Sequence, residues 1–165
     1  MKLPIKICKN ITIIEKLIKT HCTTYSMAQV LFYEKPGCRN NKKQKDFLIA
    51  AGHKLDIKNI LTESWTIDKL YLFLKDFPIT SWFNYSAPRV KSKEIIPENF
   101  MNSDKNDVLE LMIADPLLIR RPLLQVDQTY KIGFEYNIID TWIGLNPVNF
   151  SSEDLETCPR IHEKE

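Results

Sequence analysis

The order of elements just after Met27 constrains this chain most: a strand, a tight turn, a helix and a second strand. Gln29-Val30-Leu31-Phe32-Tyr33 is apolar, β-branched and aromatic, the composition of a buried strand. Glu34-Lys35-Pro36-Gly37 reads as a turn. From Arg39 to Ala51 the pattern is helical, with Phe47, Leu48 and Ala51 on one face and Lys42, Lys43, Lys45 and Asp46 on a solvated one. Gly52 follows as the helix C-cap, and Leu55-Asp56-Ile57 alternates like a strand. Together these make a βαβ unit, whose crossover is expected to be right-handed.

The remaining elements follow from the same signals. Thr66 is placed to cap a helix with Leu70, Leu72, Phe73 and Phe77 inward, and Pro78 ends it. Residues 79–103 show no long period and predict short helices and loops. Ser103 or Asp104 caps a further helix running to about Ala114, with Val108, Leu109, Met112 and Ile113 inward. Leu123-Leu124-Gln125-Val126, a turn at Asp127-Gln128 and Tyr130 to Phe134 form a β-hairpin. A last helix spans residues 137–143, with Ile138, Ile139 and Trp142 as its apolar face. The order β-α-β, helical insertion, β-β-α predicts an α/β, thioredoxin-like fold with a mixed central sheet flanked by helices.

Residues 27–145 are the expected domain. Residues 1–26, rich in Ile and Lys, are read as an appendage that packs little on the body, and Ile11, Ile14, Leu17 and Ile18 fall at helical spacing. Met27 stands as an alternative start. Residues 146–165 read as a polar, fraying tail. Residues 1–27 hold five Lys and one Glu, whereas the rest holds 18 Lys and Arg against 20 Asp and Glu. A mildly acidic body argues against a nucleic-acid partner. No apolar run approaches the ~20 residues of a membrane span, and the first 27 residues lack the pattern of a secretory signal. Cytoplasmic residence is the expectation. The cysteines, Cys8, Cys22, Cys38 and Cys158, are widely spaced and form no Cys-x-x-Cys, so no disulfide framework is expected.

Cys38 carries the chemistry. It follows the Pro36-Gly37 turn and opens the first helix, where backbone amides and the helix dipole favour a thiolate. Arg39, Lys42 and Lys43 lie within the first turn or so. The alternative is an inert cysteine packed at a helix start. His53 reads as a surface or edge residue rather than a base. Trp65, Trp82 and Trp142 read as core or edge packing. Cys158 and His162 stand four apart, but two ligands do not make a metal site, and no metal is expected.

The stretch Phe32-Tyr33-Glu34-Lys35-Pro36-Gly37-Cys38-Arg39-Asn40-Asn41 resembles the active-site segment of the arsenate reductase (ArsC)/Spx family, in particular its nitrogenase-associated branch. Leu118-Ile119-Arg120-Arg121-Pro122-Leu123-Leu124 resembles the family's Arg-Pro segment, and Ile132-Gly133-Phe134 its following strand. Trp82-Phe83-Asn84, Ala114-Asp115-Pro116 and Glu156-Thr157-Cys158-Pro159 fit the same branch, so the likeness covers about residues 27–162.

The resemblance implies a nucleophilic Cys38, recycled by glutathione and glutaredoxin, with no tightly bound cofactor and with glutathione as a co-substrate. It assigns Arg121 and Lys42 to hold an oxyanion or stabilise the thiolate, and Arg39 joins them from its place in the first turn beside Cys38. It also implies a cis peptide bond before Pro122, facing Cys38. Two of the family's three oxyanion-binding arginines have no counterpart: Phe83 or Asn84 stands at one position, and the other, near Phe134, is also not Arg. Asn41 stands where Spx-like regulators carry the second cysteine of a Cys-x-x-Cys switch. Two functions follow as expectations. One is a thiol-dependent, arsenate reductase-like enzyme acting on a small anionic substrate. The other is a non-catalytic redox-regulatory protein whose partner is a nitrogen-fixation protein.

Overall fold

The computed structural model describes residues 27–145. The expectations for residues 1–26 and 146–165, including the helical spacing at Ile11 to Ile18, Cys8, Cys22 and the Cys158–His162 pair, lie outside the described residues. The sheet has four strands, β1 (Gln29–Glu34), β2 (Lys54–Asn59), β3 (Leu123–Val126) and β4 (Thr129–Ile132), in the order β2-β1-β3-β4. β1 and β2 run parallel, Val30 opposite Leu55 and Phe32 opposite Ile57. β3 runs antiparallel to β1, with Phe32 opposite Leu124, and β4 closes the hairpin on β3. Among the described residues five α-helices accompany the sheet: α1 (Arg39–Ala50), α2 (Ile67–Leu74), α3 (Pro88–Lys91), α4 (Lys105–Ala114) and α5 (Tyr136–Ile143).

The two-residue period of β1 divides the core in two. Val30 and Phe32 face a cluster with Phe47 and Leu48 of α1, Leu124, Phe134, and Ile139 and Ile143 of α5. Leu31 and Tyr33 face the other side, covered by the insertion between β2 and β3: Trp65, Leu70, Phe73, Leu74, Trp82, Leu109 and Met112. Tyr33, Trp65 and Phe73 meet ring to ring there, and the Lys69 ammonium, paired with Glu63, lies over the Tyr33 and Trp65 rings. Burial raises the Tyr33 phenol above its ordinary pKa, and the hydrogen bond to Glu63 raises that of Lys69. The Trp65 and Trp82 indoles donate to the carbonyls of Ile60 and Phe77, so both large rings are buried with their polar atom satisfied.

Several faces differ from the periodicity reading. α2 turns Leu70, Phe73 and Leu74 inward, and Leu72 is exposed, because two positions from Leu70 lies on the opposite side of a helix. Phe77 lies beyond the helix end yet packs partly buried on the core. α5 buries Ile139 and Ile143, one turn apart, whereas Ile138 points outward and Trp142 is half-buried. β4 stops at Ile132, because Gly133 takes a positive φ of 76° and turns the chain off the ladder. Lys45 leaves the solvated face expected of it and pairs, mostly buried, with Glu34 at 2.7 Å.

Helix α1 ends one residue earlier than expected, with Ala51 as the cap and Gly52 beyond it at φ 90°. The Gly52 amide donates to the carbonyl of Ile49, and the His53 amide to that of Leu48. This pair of bonds is a Schellman motif, which needs a left-handed residue and takes glycine most readily. It delivers His53 into the interior, contrary to the surface reading. The ring is buried, its Nδ1 accepts from the Ala28 amide at 3.2 Å, and its Nε2 lies 2.7 Å from the Gly144 carbonyl. That geometry suits the neutral tautomer with hydrogen on Nε2. His53 therefore ties together the end of α1, the start of β1 and the end of α5.

Candidate active site

The loop from β1 to α1 places Cys38. The Cys38 amide donates to the Lys35 carbonyl at 3.1 Å, and Gly37 has φ 75°, the pattern of a type II turn with Pro36 and Gly37 in its central positions. Cys38 is the N-cap residue of α1, with φ −76° and ψ 119°, and its carbonyl accepts from the Lys42 amide. Its side chain makes no cap hydrogen bond, so the sulfur does not serve the helix. The first turn contains no acidic residue to neutralise the positive end of the helix dipole. The thiol is partly accessible and in no disulfide.

Asn41, at the second position of the would-be Cys-x-x-Cys, holds the loop in place. Its side chain is 1% exposed. Its Oδ1 accepts from the Lys35 amide at 3.2 Å, and its Nδ2 donates to Gln44 Oε1 at 2.8 Å. The position that is a redox partner in a two-cysteine switch is here a latch between loop and helix.

Cys38 opens into a recess of about 280 Å3. Lys35, Gly37, Arg39 and Asn40 line it from the loop and α1, Asn84, Ser86, Ala87, Pro88 and Lys91 from the insertion, and Arg121 from the approach to β3. The Arg121–Pro122 peptide bond is cis, and Arg121 and Cys38 share this cavity. The Nη1 of Arg121 is buried. Of the residues singled out from sequence, the fold thus brings together Cys38, Arg39 and Arg121. Lys42 does not line the recess: it points to solvent and pairs with Asp46 one turn along α1 at 3.1 Å. At the first position without the expected arginine, read as Phe83 or Asn84, Phe83 is buried in the core beneath the insertion. Asn84 is spent on structure, its Nδ2 donating to the Leu117 carbonyl and its Oδ1 accepting from the Ser86 amide. Phe134 is buried in the α1–α5 core, remote in chemistry from any anion.

Lys35 and Lys91 also line the recess, beyond the residues singled out from sequence. Lys35 was visible as a cation beside the turn. Lys91 enters from a four-residue helix, α3, whose position depends on the insertion's packing and not on any local motif.

A βαβ unit joined through a helical insertion to a hairpin and helix, with a cysteine at the first helix N terminus and a cis Arg-Pro bond whose arginine lines the same cavity, defines a thioredoxin-like protein. The chain belongs to the ArsC family, whose family model matches residues 33–141. A Rhodospirillum rubrum protein described as an uncharacterized 15.7 kDa protein in the draG 3′ region is 47% identical over 133 residues, covering 81% of this chain and 90% of that protein. The global transcriptional regulator Spx 2 of Bacillus cereus is 26% identical over 129 residues, covering 77% of this chain and 96% of the regulator. Among solved structures, an ArsC family related protein from Bacteroides fragilis superposes with a TM-score of 0.61 at 20% identity, covering 68% of this chain and 97% of that one. A possible arsenate reductase from Streptococcus mutans gives a TM-score of 0.58 at 22% identity, covering 68% and 98%. At these identities the structural likeness bears on the fold alone. Among the described residues no helix is long and apolar enough to cross a membrane.

Proposed function

We propose that the protein is a thiol-dependent reductase of the arsenate reductase type, with Cys38 as its single nucleophile and glutathione with glutaredoxin as the thiol source. The observation that carries this reading is the placement of Cys38: an N-cap sulfur that makes no cap hydrogen bond and opens, with Arg121 and Arg39, into one recess. In the net reaction, arsenate gains two electrons and loses one oxygen as water, while two glutathione thiols become a disulfide. Cys38 supplies the attacking sulfur and is returned to the thiol by exchange. Arg121 and the N-terminal amides of α1 hold the anion. Incubating the full chain with arsenate, glutathione and glutaredoxin should produce arsenite, and Cys38→Ser should reduce production to the background of the mixture. Wild-type protein at background would overturn the reductase reading.

A second reading has its own support. Two of the three expected guanidinium positions lack Arg, one at Phe83 or Asn84 and the other near Phe134, and the relatives include an Spx regulator and the regulatory protein MgsR of Bacillus subtilis. In this reading Cys38 is a redox sensor of a regulatory protein. The draG-region relative accords with the nitrogenase-associated branch, and the partner proposed in this reading is a nitrogen-fixation protein. A protein that is modified at Cys38 but makes no arsenite would favour it.

A further inference from the structure

The recess at Cys38 carries more positive charge than one oxyanion needs. Lys35 lines it from the β1–α1 loop and Lys91 from the end of α3, on separate walls. Among the described residues neither ammonium group is paired with a carboxylate. The acid nearest to each in sequence is engaged elsewhere: Glu34 with Lys45 at 2.7 Å, and Glu94 with Arg89 at 2.7 Å. No Asp or Glu is among the lining residues. Size argues in the same direction, since 280 Å3 is on the order of nine waters at ~30 Å3 each. Four oxygens around one central atom fill only part of that space, which leaves room for a larger ligand between the walls.

We propose that Lys35 and Lys91 form a carboxylate-binding subsite that selects, for reaction at Cys38, peptide-like thiols and disulfides bearing a free carboxylate at a distance from sulfur. The proposal rests on Cys38 being the reacting thiol. The step is thiol–disulfide exchange. The Cys38 thiolate attacks one sulfur of glutathione disulfide, the Cys38 sulfur–sulfur bond forms, and the original disulfide bond breaks. Its electron pair leaves on the second glutathione as a thiolate, which takes a proton from water. Cys38 is oxidised to the mixed disulfide and the departing glutathione is reduced. Arg121 and the helix end face the reacting sulfurs, while the lysines hold the far carboxylate. Lysine suits this task, because its flexible stem and point charge follow a carboxylate whose position varies.

The test compares two reagents on the full chain, glutathione disulfide and the uncharged hydroxyethyl disulfide, following the Cys38 adduct by peptide mass spectrometry. The double variant Lys35→Gln, Lys91→Gln should slow reaction with glutathione disulfide by roughly three- to tenfold, and leave the uncharged reagent unaffected. Raising the ionic strength should shrink the wild-type preference in the same sense. Equal slowing of both reagents would mean that the lysines act on the thiol and not on the ligand, and would overturn the subsite. Unchanged rates with both reagents would overturn it too, while leaving Cys38 as the reacting group. A wild-type Cys38 inert to both would remove the proposed function together with the subsite.

Discussion

At its C-terminal end, α1 closes on a Schellman motif and the His53 ring, so the backbone groups of Ala28 and Gly144 find partners inside the protein. At its N-terminal end the same helix starts at Cys38 with no side-chain cap and no acid in its first turn, beside a recess lined by Lys35, Arg39, Lys91 and Arg121. One end uses polar groups to complete the fold, and removing them leaves buried groups unsatisfied. The other end gathers cations around a recess with no carboxylate in its lining, and there the proposed function seats its anion. Stability and reactivity should therefore separate along a single helix, with Asn41 as the residue where the two meet.

The sharpest separation is expected at the termini of that helix. Cys38→Ser should abolish adduct formation at this position and leave the melting temperature nearly unchanged, since the sulfur makes no cap bond. His53→Ala should do the reverse. Stranding two backbone groups costs about 2–3 kcal/mol, a melting-temperature loss of several degrees, with the Cys38 reaction rate preserved below the transition. A large change in reactivity in this variant would show that the two ends are coupled.

Asn41→Ala should affect both quantities. Loss of its bonds to Lys35 and Gln44 is expected to cost ~1–2 kcal/mol in chemical denaturation and to slow the reaction of Cys38 by loosening the turn. Gly37→Ala has a smaller expected cost, about 1 kcal/mol, read from the same denaturation curves. No atom lies within 4 Å of an added Cβ, so the cost comes from the φ of 75° itself. Lys42→Ala should change stability by less than ~0.5 kcal/mol and leave reactivity with glutathione disulfide unaltered, because its pair with Asp46 is exposed and outside the recess. A strong effect of Lys42 on the rate would blur the boundary drawn here around the site.

The elements legible in the sequence were those written in local chemistry. The apolar run of β1, the Pro36-Gly37 turn, the Thr66 and Asp104 caps and the hairpin each depend on residues a few positions apart. Cys38 at a helix start and Arg121 before a proline were legible for the same reason. His53 was not, because its partners lie 25 and 91 residues away. A polar ring consumed by distant backbone groups looks, in sequence, like an exposed one. Leu72 and Ile138 were misplaced because both helices are eight residues long, too short for apolar spacing to fix a face before neighbours are known. Lys91 escaped notice because only the packing of the insertion against the β1–α1 loop brings it to Cys38.

The central claim is that the open end of α1 makes Cys38 the reacting thiol. Peptide mapping of the full chain after brief exposure to glutathione disulfide tests it most directly, because Cys8, Cys22 and Cys158 are read in the same sample. The Cys38 peptide should acquire glutathione first, and a dithiol should restore it. A Cys38 peptide that stays unmodified while another cysteine reacts would contradict the account.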